Sequence, residues 1–452
     1  MGNEKRGNFT GKLGFVLAAA GSAVGLGNIW RFPYLASKYG GGIFLLTYIC
    51  LVLTFGFALM IGEIAIGRKT GLSAIGAFKK LNEKYSFIGY LAALVPVIIL
   101  PYYSVIGGWV TKYLTVFISG AGSFAATDSY FTDFITNAQS PVVWFMIFMT
   151  VTAVIVLFGV EKGIEKVSKV MMPVLILLSM IIAVYSMCLP GALDGVLYYI
   201  LPDFSKFSIQ TVLGAMGQMF YSMSLAMGIM ITYGSYMKKE VSLESSVKQI
   251  ELFDTGIAFL AGLMIIPATY VFSGGDPAAM GKGPSLMFVA LPKIFDTMWM
   301  GHLIGTVFFI LVLLAALTSS ISLMETVVSI ICDKMKIKRT ISCIIVYIFS
   351  VALGLVSCFG YSIWSEITVI GMQFLDFFDF ISNSVIMPVV AFLTSVFIGY
   401  VIKPYAIIEE VSLTGKFKRE KLFTLVIKYI APVFIVLILL SSVLDVFGIF
   451  KI

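Results

Sequence analysis

The chain has 452 residues, of which 59% are hydrophobic and only 12% charged, and its mean hydropathy is +1.01. A soluble domain carries about 25% charged residues, so the composition excludes a soluble globular protein and points to a polytopic membrane protein. The net charge of +7 sits in loops, which excludes a nucleic-acid-binding face, and one histidine (His302) with five scattered cysteines (Cys50, Cys188, Cys332, Cys343, Cys358) excludes a histidine-based metal site.

Apolar runs of roughly the 20 residues that cross a bilayer lie at about 13–38, 42–66, 88–118, 142–160, 167–189, 211–236, 250–272, 301–332, 341–358, 374–402 and 424–449. They predict eleven transmembrane helices. The first run continues as integral membrane sequence, which predicts no cleavable signal peptide. Basic residues alternate from loop to loop. Lys5, Arg6 and Lys12 precede the first run; clusters at 68–84, 162–169, 238–248, 334–339 and 403–421 follow the even-numbered ones, whereas the opposite loops carry Asp128, Asp133, Asp194 and Asp203. The positive-inside rule then predicts a cytoplasmic N-terminus, and an odd helix count places the C-terminus outside. The turn-rich loop 273–284 is followed by 285–295, too short to span and read as an amphipathic cap over the outer face.

Two runs contain residues that a spanning helix should avoid. The stretch 19–34, AAGSAVGLGNIWRFPY, has glycines at 21, 25 and 27, then Asn28, Arg31 and Pro33. Glycine costs about 1 kcal/mol of helix propensity relative to alanine, and a charge at mid-membrane costs about 2.5–3.5 kcal/mol on insertion scales. The sixth run, GAMGQMFYSMSLAMGIMITYGSY at 214–236, repeats the oddity with Gln218, Ser222 and Ser224 at mid-depth. Irregular backbone at membrane depth is tolerated where it is buried in protein or lines a cavity. Paired interrupted helices, five apart, indicate an inverted-repeat transporter with a site at the bilayer midplane. The reading divides the chain into a first five-helix repeat over 1–190, a second, inverted one over 191–403, and a loop with an eleventh helix over 404–452. Small residues that merely let helices pack are the simpler account of either segment alone, and a poorer one of both at matching places.

GSAVGLGNIWRFPY, the sixth run and AALTSS at 315–320 together resemble the neurotransmitter:sodium symporters, in particular the bacterial LeuT-type amino acid transporters, over nearly the whole chain. The resemblance implies an all-α membrane protein with broken helices 1 and 6 in a 5+5 inverted repeat. Its expected place is the bacterial inner membrane and its expected function sodium-coupled amino acid import, not enzymatic catalysis; a non-transporting amino acid sensor on the same fold is the alternative.

Two sodium ions are implied. The first would meet the Ala23 carbonyl, Asn28, Ser222, Asp254 and the substrate carboxylate. The second would meet the carbonyls of Gly21, Val24 and Ala315 with the hydroxyls of Thr318 and Ser319. For the amino acid, the resemblance implies the amides of Leu26 and Gly27 and the Tyr103 hydroxyl around its carboxylate. Its amino group would face Ala23, Tyr221, Ser222 and Ser224, and its side chain Ile99, Tyr103, Tyr221, Met227, Ser320 and Leu323. Gly25 stands where monoamine-carrying members have an aspartate, which favours amino acids; the apolar pocket suits a large hydrophobic or aromatic one such as tyrosine.

Arg31 and Asp379 match the family's external gate with Tyr221 as lid, and Arg6 with Asp333, supported by Tyr236, its internal gate. Phe9 replaces the tryptophan of that inner clasp and predicts a looser one. Gly163 and Pro173 match a helix 5 motif linked to local unwinding, and Glu63 a buried family acid, read as a structural partner for unwound backbone with a transported-proton site as the alternative. Chloride-dependent members carry asparagine at 254 and a serine at 258, which is alanine here; near Tyr48, Gln218 and Ser222 they bind the anion. Asp254 therefore predicts chloride independence, and it is also a candidate for carrying a proton on the return step.

Overall fold

The computed structural model describes residues 7–275 and 284–446. Among these, nine continuous helices are long and apolar enough to cross a membrane: α2 (Gly42–Thr70), α3 (Glu83–Ile118), α4 (Ser140–Leu157), α5 (Val160–Met187), α7 (Leu243–Phe272), α8 (Gly301–Met335), α9 (Arg339–Gly360), α10 (Phe374–Val401) and α11 (Glu420–Ser441). The first run forms a tenth span in two pieces, α1a (Lys12–Ala23) and α1b (Gly27–Lys38), bent by 55°. The sixth is likewise interrupted, as α6a (Ile209–Ser222) and α6b (Ile229–Gly234). Among the described residues each of the eleven apolar runs is mainly helical, and the two that break are those whose residues resist a continuous helix.

Each break has a local cause. At Val24 the backbone turns extended (φ −77°, ψ 101°), and the Asn28 side chain takes over as partner of the chain, Oδ1 accepting from the Gly25 amide at 3.1 Å. In 223–228 the left-handed residues are Ser224 (φ 52°), Ala226 (φ 60°) and Gly228 (φ 69°). That conformation costs a non-glycine residue about 1–2 kcal/mol, so the surroundings must hold it. The Ser224 hydroxyl donates to the Ser22 carbonyl at 2.9 Å, tying one break to the other. The Ala226 amide donates to Glu63 Oε1 at 2.7 Å, so this fully buried acid on α2 partners unwound backbone.

α3 and α8 pack against each other at the centre, with 78% and 72% of their apolar windows buried, against 33% for α4 and α5 at the periphery. α2 and α6b touch backbone to backbone: a Cβ on Gly67 would stand 1.9 Å from the Ile231 carbonyl oxygen, and one on Gly234 2.3 Å from that of Ile64. Such small-residue contacts drive helix association in lipid, where apolar burial does not. The segment after the loop forms a turn at Leu286–Ala290 and the helix Leu291–Thr297. Fully buried Phe288 pins it in an aromatic nest with Trp109 (5.9 Å between ring centres), Tyr113 (5.0 Å) and Phe131 (5.2 Å). The Tyr113 hydroxyl donates to its carbonyl at 2.8 Å.

Candidate functional site

The two breaks face each other across a cavity lined by Ser22, Ala23, Gly25, Leu26, Gly27 and Asn28 of the first, by Tyr221, Ser222, Ser224, Met227 and Ile229 around the second, and by Ile99 and Tyr103 of α3 with Ser319 and Leu323 of α8. Ten of the eleven residues expected around an amino acid line it. Ser320 does not: its hydroxyl pairs with that of Thr152 on α4 at 2.8 Å. One step along a helix turns a side chain by about 100°, and it is Ser319 that faces the cavity. Ser22 and Ile229, which were not expected, complete the wall.

The Leu26 amide donates to the Tyr103 hydroxyl at 3.3 Å, at the N-terminal end of α1b. Free amides at such an end, with the helix dipole behind them, suit a carboxylate. Gly25 is crowded: a Cβ there would lie 2.6 Å from Ser319 Oγ and 3.1 Å from the Tyr103 hydroxyl. The Tyr221 ring rests on Gly27, where a Cβ would come within 2.5 Å of it. Ile99, Met227 and Leu323 make the remaining wall apolar.

Behind the cavity, Asn28, Ser222 and Asp254 converge in a fully buried cluster. Asp254 Oδ1 accepts from Asn28 Nδ2 at 2.9 Å and from Ser222 Oγ at 2.5 Å, and Oδ2 accepts from the Tyr48 hydroxyl at 2.8 Å. Gln218 donates from Nε2 to the Gly27 carbonyl at 2.9 Å, while its buried Oε1 has no partner. On the other side of the first break, Ser319 Oγ reaches the carbonyls of Ser22 (3.2 Å) and Val24 (3.4 Å). Thr318 Oγ1 lies 3.0 Å from the Ala315 carbonyl of its own helix, and Gly21 lacks a side chain where Thr318 Cβ would be 3.2 Å away. The Ser22 and Val24 carbonyls with Ser319, and the Ala315 carbonyl with Thr318, are oxygens gathered where α1a meets α8, with Gly21 packed beside Thr318. Hard cations of sodium's kind take oxygen ligands of these types.

The outer gate residues depart from expectation. Arg31 and Asp379 do not pair. The Arg31 guanidinium lies over the Tyr221 ring, 5.4 Å from its centre, and exposed Asp379 accepts from Tyr102 at 3.1 Å and Asn383 at 2.7 Å. An ion pair in contact with water gains little, so nearby neutral partners compete for both groups. Arg6 lies outside the described residues. Its expected partner Asp333 accepts from the Ser73 amide at 2.8 Å. The Tyr236 hydroxyl, expected to support that pair, donates to fully buried Glu325 at 2.7 Å, and Arg339 forms an ion pair with Glu325. A lone carboxylate in an apolar run was the signal for this group. Phe9, in place of the family's tryptophan, is 1% exposed and packed edge-on against Phe15 and Tyr233, each 5.6 Å away.

The model of the sodium:neurotransmitter symporter family matches residues 6–141 and 135–448. The chain belongs to this family. An uncharacterized sodium-dependent transporter of Bacillus subtilis, YhdH, is 35% identical over 98% of this chain and 99% of its own length. An uncharacterized sodium-dependent transporter of Haemophilus influenzae is 31% identical over 97% and 99%. A crystal structure of MhsT in complex with L-phenylalanine superposes with a TM-score of 0.87 at 37% identity, covering 97% of this chain and all of that one. The chain is thus a multi-pass, sodium-dependent symporter with the LeuT-type fold, and the family consists of transporters rather than enzymes.

Proposed function

We propose that this symporter imports a large hydrophobic or aromatic amino acid together with two sodium ions. The observation that carries the reading is the crowded Gly25 beside the Leu26 amide and Tyr103 hydroxyl. That corner offers donors to a carboxylate and no space for the aspartate that an amine lacking a carboxylate would need. The Ser224 hydroxyl and the open carbonyls of the breaks suit the amino group, and Ile99, Met227 and Leu323 an apolar side chain; methionine adapts to irregular ligands. The phenylalanine held by similar MhsT supports the same class of substrate.

One sodium ion would sit with Ala23, Asn28, Ser222, Asp254 and the substrate carboxylate, which makes sodium and substrate binding mutually dependent. The other would sit with Gly21, Val24, Ala315, Thr318 and Ser319 and brace α1 against α8. Asp254 supplies the fixed negative charge that chloride provides in relatives, so transport needs no chloride. Its carboxylate is held by the Asn28 amide and by the Ser222 and Tyr48 hydroxyls, groups able to donate to its ionised form. In alternating access the outer pair Arg31–Asp379 closes over the bound substrate and Tyr221, while the Arg6–Asp333 pair, with Tyr236, opens inward. The first repeat, 1–190, and the second, 191–403, supply the two halves of the site, with 404–452 outside them. The N-terminus lies in the cytoplasm and the C-terminus outside.

The test is the purified protein in liposomes with a panel of labelled amino acids. Phenylalanine, tyrosine, tryptophan and leucine are expected to accumulate with sodium outside and not with potassium. Accumulation of small or charged amino acids alone would refute the substrate class, and tight binding without uptake would point to a sensor.

A further inference from the structure

The connection between α5 and α6a carries a helix of its own, Ala192–Ile200, followed by one tight turn at Phe204–Lys206. One face of that helix is fixed to protein. Ala192, Gly195 and Tyr199 are buried. The Tyr199 ring lies where a Cβ on Gly262 of α7 would come within 2.1 Å of it, and its hydroxyl donates to the Phe259 carbonyl at 3.2 Å. The other face is apolar and uncovered. Leu193, Leu197 and Ile200 follow at the four- and three-residue steps that line one side of a helix. With Leu201, Phe204 and Phe207 beyond them they are 41% to 70% exposed. Apolar side chains exposed singly are ordinary, whereas a contiguous patch marks a contact surface. This patch continues the exposed Ile181 and Val184 of α5, a helix with only 33% of its apolar window buried. The occupant that such continuity selects is lipid.

The same segment grips the link between α1b and α2. The Tyr198 hydroxyl donates to the Ser37 carbonyl, near the end of α1b, at 2.6 Å. Gly41 and Pro202 form an isolated antiparallel bridge. The approach is backbone on backbone: a Cβ on Gly41 would stand 2.1 Å from the Tyr198 carbonyl oxygen, and one on Gly42 2.3 Å from that of Leu201. Gly40 and Gly41, at φ 93° and 62°, make the turn that allows it, a conformation open to glycine at little cost. Lys206 closes the side, its ammonium 4.9 Å from the centre of the Tyr198 ring. Residues 193–207 therefore have two contacts, an apolar surface away from the protein and a clasp on the far end of α1b. The near end of α1b carries the Leu26 and Gly27 backbone that lines the cavity.

We propose that the helix Ala192–Ile200 and the turn behind it lie in the membrane interface with their apolar face among the acyl chains, and that this lipid contact steadies the α1b–α2 link. The outer leaflet follows from the orientation proposed above; an experiment in symmetric bilayers succeeds or fails independently of it. The full-length protein in phosphatidylcholine nanodiscs is the material. In Phe204→Trp, the fluorescence added to that of the five native tryptophans should fall about twofold with lipid brominated near the glycerol end of its chains, and less with bromine near the methyl ends, as for a side chain at the headgroup boundary. Fluorescence indifferent to both lipids overturns the lipid contact: quenching by aqueous iodide would then place the residue in water, and protection from iodide would place it against a second copy of the chain. Hydrogen exchange reads the clasp. Leu197→Asp with Phe204→Ser is expected to raise exchange in 36–42 about tenfold with 291–297 unchanged, whereas Leu197→Met with Phe204→Leu, which stay apolar, should leave it as it was. Tyr198→Phe, which keeps the lipid-facing side chains, should raise it about threefold through the loss of one hydrogen bond. An equal rise with the polar and the apolar pair, a rise confined to 192–200, or one that spreads to 291–297 would overturn the link between lipid contact and α1b.

Discussion

Asp254 is the residue on which the ion requirements turn. Its carboxylate gathers Asn28, Ser222 and Tyr48, and an amide in its place offers one acceptor oxygen and turns an NH2 toward donors. Asp254→Asn is expected to raise the sodium concentration for half-maximal uptake about tenfold, a loss of about 1.4 kcal/mol, and to make uptake respond to chloride. The unaltered protein should transport equally in chloride and gluconate; a collapse in gluconate would remove the fixed-charge account. Gly25→Ala sets a methyl against Ser319 and Tyr103 and should weaken amino acid binding at least tenfold in an equilibrium binding assay. Most of this site was legible in the sequence because polar and glycine residues in apolar runs carry a known cost, and a resemblance then gave them roles. The failures are those of phase and partnership. Ser319 and Ser320 differ by one helical step, which neighbouring sequence does not orient in a helix apolar on all sides. Arg31 and Asp379 carry opposite charges, but charge alone does not tell which of several neighbours each will take.

At the scale of elements, the breaks were readable and their supports only partly so. Glu63 announced itself as an acid in an apolar run, but its target, the Ala226 amide, depends on the left-handed turn that carries it. Glu63→Ala would leave that amide buried without an acceptor, a loss of about 1–3 kcal/mol. A clearly shortened half-life at elevated temperature in detergent is expected, with Glu63→Gln, which keeps a carbonyl oxygen, in between. A second element-level contact joins the connection between α10 and α11 to α2. Arg68 and Glu410, 1% and 4% exposed at the side chain, pair at 2.7 Å, and Arg68 also donates to the Val241 carbonyl at 2.8 Å. In sequence these residues are two more charges in basic loops, 342 positions apart, with nothing to link them. Arg68→Ala strands a buried carboxylate and should destabilise by about 3–5 kcal/mol, whereas Arg68→Met with Glu410→Leu should recover most of the loss. Equal thermal inactivation of the single and double variants would show that the pair is not coupled.

For the whole molecule, the eleven-run pattern and the two broken helices belong to a machine whose driving force can be counted in charges. Each charge that crosses is worth about 2.3 kcal/mol per 100 mV, and each 1.4 kcal/mol is a factor of ten in concentration. Two sodium ions entering with a net-neutral amino acid would then allow roughly three decades of accumulation at −100 mV with equal sodium on both sides. One net charge would allow roughly fifty-fold. The number separates mechanisms that share the same fold: a single sodium ion, or two with one proton leaving through Asp254, both fall on the lower slope. With Asp254 acting as a fixed charge, the expected result in liposomes clamped by a potassium gradient is the steeper slope, with accumulation unchanged by an outward proton gradient. A one-charge slope with accumulation that rises with that gradient would assign the proton to Asp254. A one-charge slope indifferent to it would mean that only one of the two oxygen clusters, at Asn28–Asp254 or at Val24–Ser319, carries an ion across.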